Sequence, residues 1–240
     1  MKKKNSVTAV ILAGGKGTRL AELTKVLPKP LIRIGTKPII WHIMKIYSFY
    51  GINKFIICLG YKGHLLKKEL IKYRNTENWD INFANTGLNT MTGGRIRKIK
   101  KFVEKDKYFC LSYGDGLSDV NIKKLIQHHL NNNKKATLTA VKYKNPKGIL
   151  SITKNSEIRS IKEKPVEYIN GGFFVLTNKV FKYLKSNDSV FEQDCLPKLS
   201  KTNQLMAYKH NGFWTCMDTM REKLEINKIW NKKKAPWKIW

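Results

Sequence analysis

Leu12-Ala13-Gly14-Gly15-Lys16-Gly17-Thr18-Arg19 places three glycines and two cations directly after an apolar run. Glycines let backbone N–H groups approach a phosphate closely, and Arg19 adds a guanidinium able to grip two oxygens. Neither common glycine-loop signature fits: a Walker A loop needs Gly-Lys-Ser/Thr after four spacers, and a dinucleotide loop needs glycine where Leu20 stands. Downstream, Pro28-Lys29-Pro30 holds an ammonium between two prolines, so Lys29 has less backbone freedom to lose when it meets an anion. Asp115, in Tyr113-Gly114-Asp115-Gly116, follows an apolar run, and Asp218 precedes Thr219 and Glu222, a capping-box pattern. Each feature also has a plain structural reading: a tight turn, a solvated lysine, a turn aspartate, a helix cap.

The elements that must position these residues follow an α/β alternation. Val7 to Ala13 reads as a strand covered on both faces. Pro38 to Tyr50 reads as a helix closed by Gly51, Lys54 to Gly60 as a second buried strand, and Tyr61 to Tyr73 as a helix with a lysine-rich face. Asp106 to Ser112 is the strand leading to Asp115, and Asp119 is placed to cap a helix running to about Asn131. Ala136 to Tyr143 and Gly171 to Leu176 read as further strands, with a hairpin of Gly148–Thr153 and Glu157–Ile161 between them. Val190 to Leu199 and the segment from Thr219 to about Trp230 read as helices, and Gly212 to Met217 as a strand carrying Trp214. The βαβα order predicts a mixed, mostly parallel central sheet flanked by helices. With no repeat or linker, residues 1–240 are expected to form a single domain, its nucleotide-binding part at about 1–120 and its sugar-phosphate part at about 121–240.

Forty-seven Lys plus Arg against 17 Asp plus Glu give a formal charge of +30. A nucleic-acid partner would need these cations clustered. They recur along the whole chain, with short runs at Lys2–Lys4, Lys98–Lys101 and Lys232–Lys234, so solvated faces are expected and no nucleic acid. No apolar run approaches the roughly 20 residues of a membrane span; a cytoplasmic protein without membrane insertion is expected. Cys58, Cys110, Cys195 and Cys216 lack CxxC pairing and read as free thiols. The five histidines lack metal-ligand spacing.

Taken together, LAGGxGTRL followed by PKPL resembles the sugar-1-phosphate nucleotidylyltransferases, which join a nucleoside triphosphate to a sugar phosphate and release pyrophosphate. Met91-Thr92-Gly93-Gly94-Arg95 and the Ala235-Pro236-Trp237-Lys238 ending narrow the likeness to the glucose-1-phosphate cytidylyltransferases. It extends through Tyr113–Gly116, Glu163-Lys164-Pro165, Asn170–Leu176 and Met217-Asp218-Thr219. The resemblance implies a Rossmann-like nucleotidyltransferase fold and a reaction of CTP with α-D-glucose 1-phosphate to give CDP-glucose for surface polysaccharide, the lipopolysaccharide O-antigen included. Leu12, Ala13, Gly14, Gly15, Lys16, Gly17, Thr18, Arg19, Lys29, Thr90, Gly93, Arg95 and Gly114 would hold the nucleotide. Glu163, Lys164, Asn170, Gly171 and Trp214 would hold the sugar phosphate, Trp214 having a core reading as well. Asp115 and Asp218 would ligate Mg²⁺ and, with Arg19 and Lys29, form the catalytic set; a homo-oligomer is expected.

Three departures from that pattern stand out. The stretch between Tyr73 and Thr86 lacks an insertion of some tens of residues, Asn85 stands where aspartate is usual, and Lys147 stands where an aromatic is usual. They bear on the sugar and on subunit assembly more than on the reaction.

Overall fold

The computed structural model describes residues 7–145 and 147–240; the lysine run at Lys2–Lys4 lies outside them. A seven-stranded sheet forms the centre. Its strands are β1 (Thr8–Leu12), β2 (Lys54–Leu59), β3 (Asp80–Asn85), β4 (Phe109–Tyr113), β5 (Ala136–Lys144), β6 (Val166–Leu176) and β7 (Leu205–His210), in the spatial order β7-β5-β6-β4-β1-β2-β3. Only β6 runs against the rest, pairing antiparallel with β4 and β5. The expectation of a mixed, mostly parallel sheet is met.

The continuous apolar runs are explained by cover on both faces. Along β1, Ala9 and Ile11 enter one core while Val10 and Leu12 enter the other; β2 divides the same way, Phe55 and Ile57 against Ile56 and Cys58. Helix α1 (Ile39–Phe49) covers the first face, and helix α3 (Thr92–Lys98), which follows α2 (Gly63–Ile71), sends Ile96 into the second. Burying one such Ile or Leu contributes about 1.5–3 kcal/mol, so β1 and β2 anchor the loops at their C-terminal ends.

Some boundaries differ from expectation. Asp119 does not cap the next helix: α4 (Ile122–Asn132) is capped by Asn121, whose side chain accepts from Lys124 N at 2.9 Å. Asp119 instead meets His210 Nε2 at 2.9 Å. The helix expected from Val190 begins as a π-turn, Phe191–Cys195, and becomes α5 only at Leu196–Lys201. The capping box of α6 (Met220–Asn231) is present as read, Thr219 and Glu222 each accepting from the other's backbone. The four cysteines are free.

On the α1 side, His42 is fully buried among Trp41, Trp230, Trp237 and Trp240. Trp237 Nε1 donates to His42 Nδ1 at 3.4 Å, and Nε2 faces Ile34 O at 3.1 Å, which suits the neutral ring. Burial pushes its pKa down to about 4 against the weaker upward pull of backbone carbonyls. No helix among the described residues is long and apolar enough to cross a membrane.

Candidate active site

The sheet order reverses at β1, which has β2 on one side and β4 on the other. Open α/β sheets bind ligands at such a point, outside the carboxyl ends of the strands. A cleft of about 550 Å³ opens there. One wall is the glycine loop after β1. Gly17 has φ 64, a left-handed conformation that glycine adopts without strain, and a Cβ at Gly14 would collide with the Arg95 guanidinium.

Facing the loop is a charged tetrad assembled from distant parts of the chain. Lys29 sits in a single 3₁₀ turn (Lys29–Leu31) fixed by Pro28 and Pro30. Its Nζ donates to Asp115 Oδ2 and to Asp218 Oδ1, both at 2.6 Å, and Arg19 Nη1 donates to Asp218 Oδ2 at 2.8 Å. Asp115 lies just past β4. The next residues, Gly116–Ser118, pair antiparallel with Trp214–Cys216, and Met217 N donates to Asp115 O at 3.0 Å. That two-stranded ribbon brings the carboxylates together. At its far end Glu222 Oε2 accepts from Asp218 N at 2.7 Å and from Thr219 N at 2.8 Å, so the α6 cap holds the Asp218 backbone.

Burial tends to lower the Lys29 pKa, but the Asp115 and Asp218 carboxylates outweigh it and hold the ammonium above its usual range. For Asp218, burial tends to raise the pKa and Lys29 with Arg19 pulls it below the usual carboxylate range. Lys29 is mostly covered whereas Arg19 is 73% exposed. An exposed pair of this kind contributes about 0–1 kcal/mol, so Arg19 can leave Asp218 for a phosphate at little cost.

Of the residues singled out from sequence, Leu12, Ala13, Gly14, Gly15, Gly17, Thr18, Arg19, Lys29, Thr90, Arg95, Gly114, Asp115, Asn170, Gly171, Trp214 and Asp218 line the cleft. Lys16 is exposed and outside the lining. Gly93 packs α3 against the Ser189 carbonyl, where a Cβ would come within 2.7 Å. Glu163 and Lys164 are exposed beyond the hairpin Ile149–Ile152/Ile158–Lys162 and do not reach the lining. Arg95 reaches it only with a guanidinium already engaged: 4% exposed, it donates to Gly14 O and Gly87 O at 2.9 Å and to Thr86 Oγ1 at 2.6 Å. It is a buried post beneath the glycine loop. Trp214 Nε1 donates to Gly171 O at 2.7 Å, fixing the indole as part of the wall.

Sequence reasoning gave no role to the Tyr113 and Thr92 side chains, which line the cleft, or to Glu192 behind them. Tyr113 carries a positional signal, since it ends β4 two residues before Asp115. Burial, and after it the charge of Glu192, pushes its phenol far above the ordinary tyrosine range, so it remains a hydroxyl.

Residues 8–231 match the nucleotidyl transferase family. The chain belongs to the nucleotidyl transferase family. Its relatives include the glucose-1-phosphate cytidylyltransferase of Salmonella typhimurium, 43% identical with 97% of this chain and 99% of that protein covered. A probable glucose-1-phosphate cytidylyltransferase of Bacillus subtilis is 42% identical at the same coverage. The Salmonella alignment spans 255 positions although this nucleotidyl transferase has 240 residues, so the relative carries residues that this chain lacks. Among solved structures, HddC from Yersinia pseudotuberculosis superposes with a TM-score of 0.75 at 27% identity, covering 93% of this chain and 99% of that one.

Proposed function

We infer that this nucleotidyl transferase moves a cytidylyl group from CTP to α-D-glucose 1-phosphate, giving CDP-glucose and pyrophosphate. The observation that carries the reading is the tetrad beside the glycine loop: one buried ammonium in contact with two carboxylates. The cytidylyl and glucosyl parts rest on the Salmonella and Bacillus relatives, which are near full-length matches.

In the proposed step a sugar-phosphate oxygen attacks the α-phosphorus of CTP in line. The new P–O bond forms as the α–β bridging bond breaks, and pyrophosphate leaves with the electron pair. No side chain acts as nucleophile. The glycine loop offers N–H groups to the phosphates, and Lys29 and Arg19 offset charge on the transferred and leaving groups. Both carboxylates reach one ammonium at 2.6 Å, so their oxygens converge on a single point, and a pair of hard oxygen donors completed by phosphates and water suits Mg²⁺. Asp115 and Asp218 would hold that ion, which supplies Lewis-acid charge at the phosphate oxygens. Thr90 and Gly114 fall on the nucleotide side, Asn170, Gly171 and Trp214 on the sugar side.

The whole chain is read as one catalytic domain, nucleotide side first and sugar side second, acting in the cytoplasm to supply a nucleotide sugar for surface polysaccharide. A homo-oligomer is supported by the hairpin, where Ile149, Leu150, Ile152, Ile158 and Ile161 are 37–65% exposed, more apolar surface than a monomer ordinarily leaves in one ribbon.

The test is pyrophosphate release from purified protein with CTP, UTP or dTTP across a panel of sugar 1-phosphates. Cytosine and uracil swap a donor for an acceptor, so a matched pocket should favour CTP by about 10²-fold or more in kcat/KM. Equal efficiency with UTP would remove the cytidylyl assignment and leave the family chemistry standing.

A further inference from the structure

Behind the cleft wall two hydroxyls end on one carboxylate, and each takes a further hydrogen bond from the chain. Glu192, on the π-turn, accepts from Tyr113 OH through Oε1 at 2.5 Å and from Thr92 Oγ1 through Oε2 at 2.7 Å. Phe191 N donates to Thr92 Oγ1 at 3.0 Å. On the other side Asn170 Nδ2 donates to the Tyr113 oxygen at 3.1 Å, while Asn170 Oδ1 accepts from Gly172 N at 2.9 Å. Every hydrogen in this chain of bonds therefore points toward Glu192. A carboxylate has only acceptors to offer, so it permits one polarity alone.

That polarity has a consequence inside the cleft. Tyr113 must spend its proton on Glu192, which leaves its oxygen to accept from Asn170, while the Gly172 N–H on Oδ1 holds the amide the same way round. The second hydrogen of the Asn170 amide has no acceptor among the described residues, and Asn170 lines the cleft. We propose that Glu192 is a positioning residue which, through Tyr113, presents the Asn170 N–H as a donor to an oxygen of the sugar phosphate. Glu192 itself does not line the cleft and need not touch the substrate. Glutamine would keep its shape but not its polarity: it accepts from one hydroxyl and donates to the other. Where the Tyr113 hydroxyl reverses, its hydrogen faces the Asn170 N–H and displaces it.

This rests on the nucleotidyl transfer reading, and the experiment separates the two. Kinetics are taken with whichever sugar 1-phosphate the wild type turns over best, so a wrong sugar assignment leaves the test intact. Glu192→Gln and Tyr113→Phe should each raise KM for the sugar phosphate about tenfold, the scale of one hydrogen bond, with kcat and KM for CTP within about threefold. In the double variant the two effects should not add, because both break the same chain of bonds. A second measurement needs no turnover: the Asn170 side-chain amide, assigned in NMR spectra by its loss in Asn170→Asp, should exchange with solvent about tenfold faster in Glu192→Gln. An unmoved sugar KM, additive effects or an unchanged Asn170 amide would overturn the proposal. A wild type inert toward every nucleotide would sink the transfer reading instead, and the amide measurement would still decide the role of Glu192.

Discussion

The two ends of the cleft are built in opposite ways. At the carboxylate end, Lys29, Asp115 and Asp218 come from segments far apart in the chain and meet at 2.6 Å, locked by a proline-flanked turn, a short ribbon and a capped helix. Outside the lining, Glu163 and Lys164 follow the hairpin Ile149–Ile152/Ile158–Lys162, whose residues 149–162 are all exposed but Thr153 and whose two strands pair with each other. Charge stabilisation demands groups fixed before the substrate arrives, since reorganising them during the reaction would return the gain. On the proposed reading, in which Glu163 and Lys164 hold the sugar phosphate, capture places no such demand on every contact.

The carboxylate end should break most completely. Asp218→Asn or Asp115→Asn should lower turnover by at least about 10³-fold, because a neutral amide replaces an anionic oxygen at a preorganised charged site. The fold should survive, since both side chains face the cleft and are partly exposed, 28% for Asp115 and 21% for Asp218. Far-ultraviolet circular dichroism beside a pyrophosphate-release assay checks both, and near-normal turnover would remove the two-aspartate site.

Lys29 sharpens the comparison because, on the proposed reading, its ammonium competes with a divalent ion for Asp115 and Asp218. Lys29→Met should cost about 10²-fold in turnover, the loss of one preorganised cation in a water-poor site. The same change should tighten Mn²⁺ binding to the nucleotide-free protein, since the ammonium no longer competes for Asp115 and Asp218. Calorimetric titration with Mn²⁺ reads this directly. Loss of activity together with loss of metal affinity would mean that Lys29 only holds the carboxylates in place.

How much of this could be read beforehand differs between the ends. The residue types of the tetrad were legible and the resemblance put Asp115 and Asp218 together, but the means was not: Gly116–Ser118, the partner of the strand read at Gly212 to Met217, is too short to carry any periodicity. Strand β3 escaped notice because Asp80–Asn85 mixes polar and apolar residues at an edge. Asp119 and Asn121 are both good cap residues, and only the position of His210 decides that Asp119 is otherwise engaged. Arg95 and Glu192 do their work as buried or half-buried posts, which no spacing rule distinguishes from residues that face a ligand. The hairpin, whose signal is local, was legible throughout.

The frame under both ends can be loosened by acid. His42 and His129 are buried, and burial holds each near a pKa of about 4, His129 with a further push from His128. Both folded values lie below the unfolded value of 6.5, so the unfolded chain binds more protons in between. Their contribution is intact above pH 6.5 and is lost as pH falls toward 4, by about 2 kcal/mol per histidine at pH 5. Urea midpoints at pH 7 and pH 5 measure the loss, and His129→Gln should reduce it by roughly half if the two histidines contribute equally. A midpoint independent of pH over that range would contradict the neutral buried rings.

The smallest effect is expected at Lys164. Its φ of 44 is left-handed, so Lys164→Asn removes the charge with a residue that tolerates that backbone. Lys164 is exposed, and surface substitutions of this kind usually change stability by no more than about 0.5 kcal/mol. If Lys164 reaches the sugar phosphate only when the hairpin swings, it trades a solvated ammonium for a mobile ion pair, and KM for the sugar phosphate should rise by roughly tenfold or less while kcat holds. Steady-state kinetics with the sugar phosphate varied at saturating CTP separates the two constants. A fall in kcat as large as that of Lys29→Met would mean that Lys164 acts on the reacting phosphates, and the division between a fixed charged end and an exposed hairpin would fail.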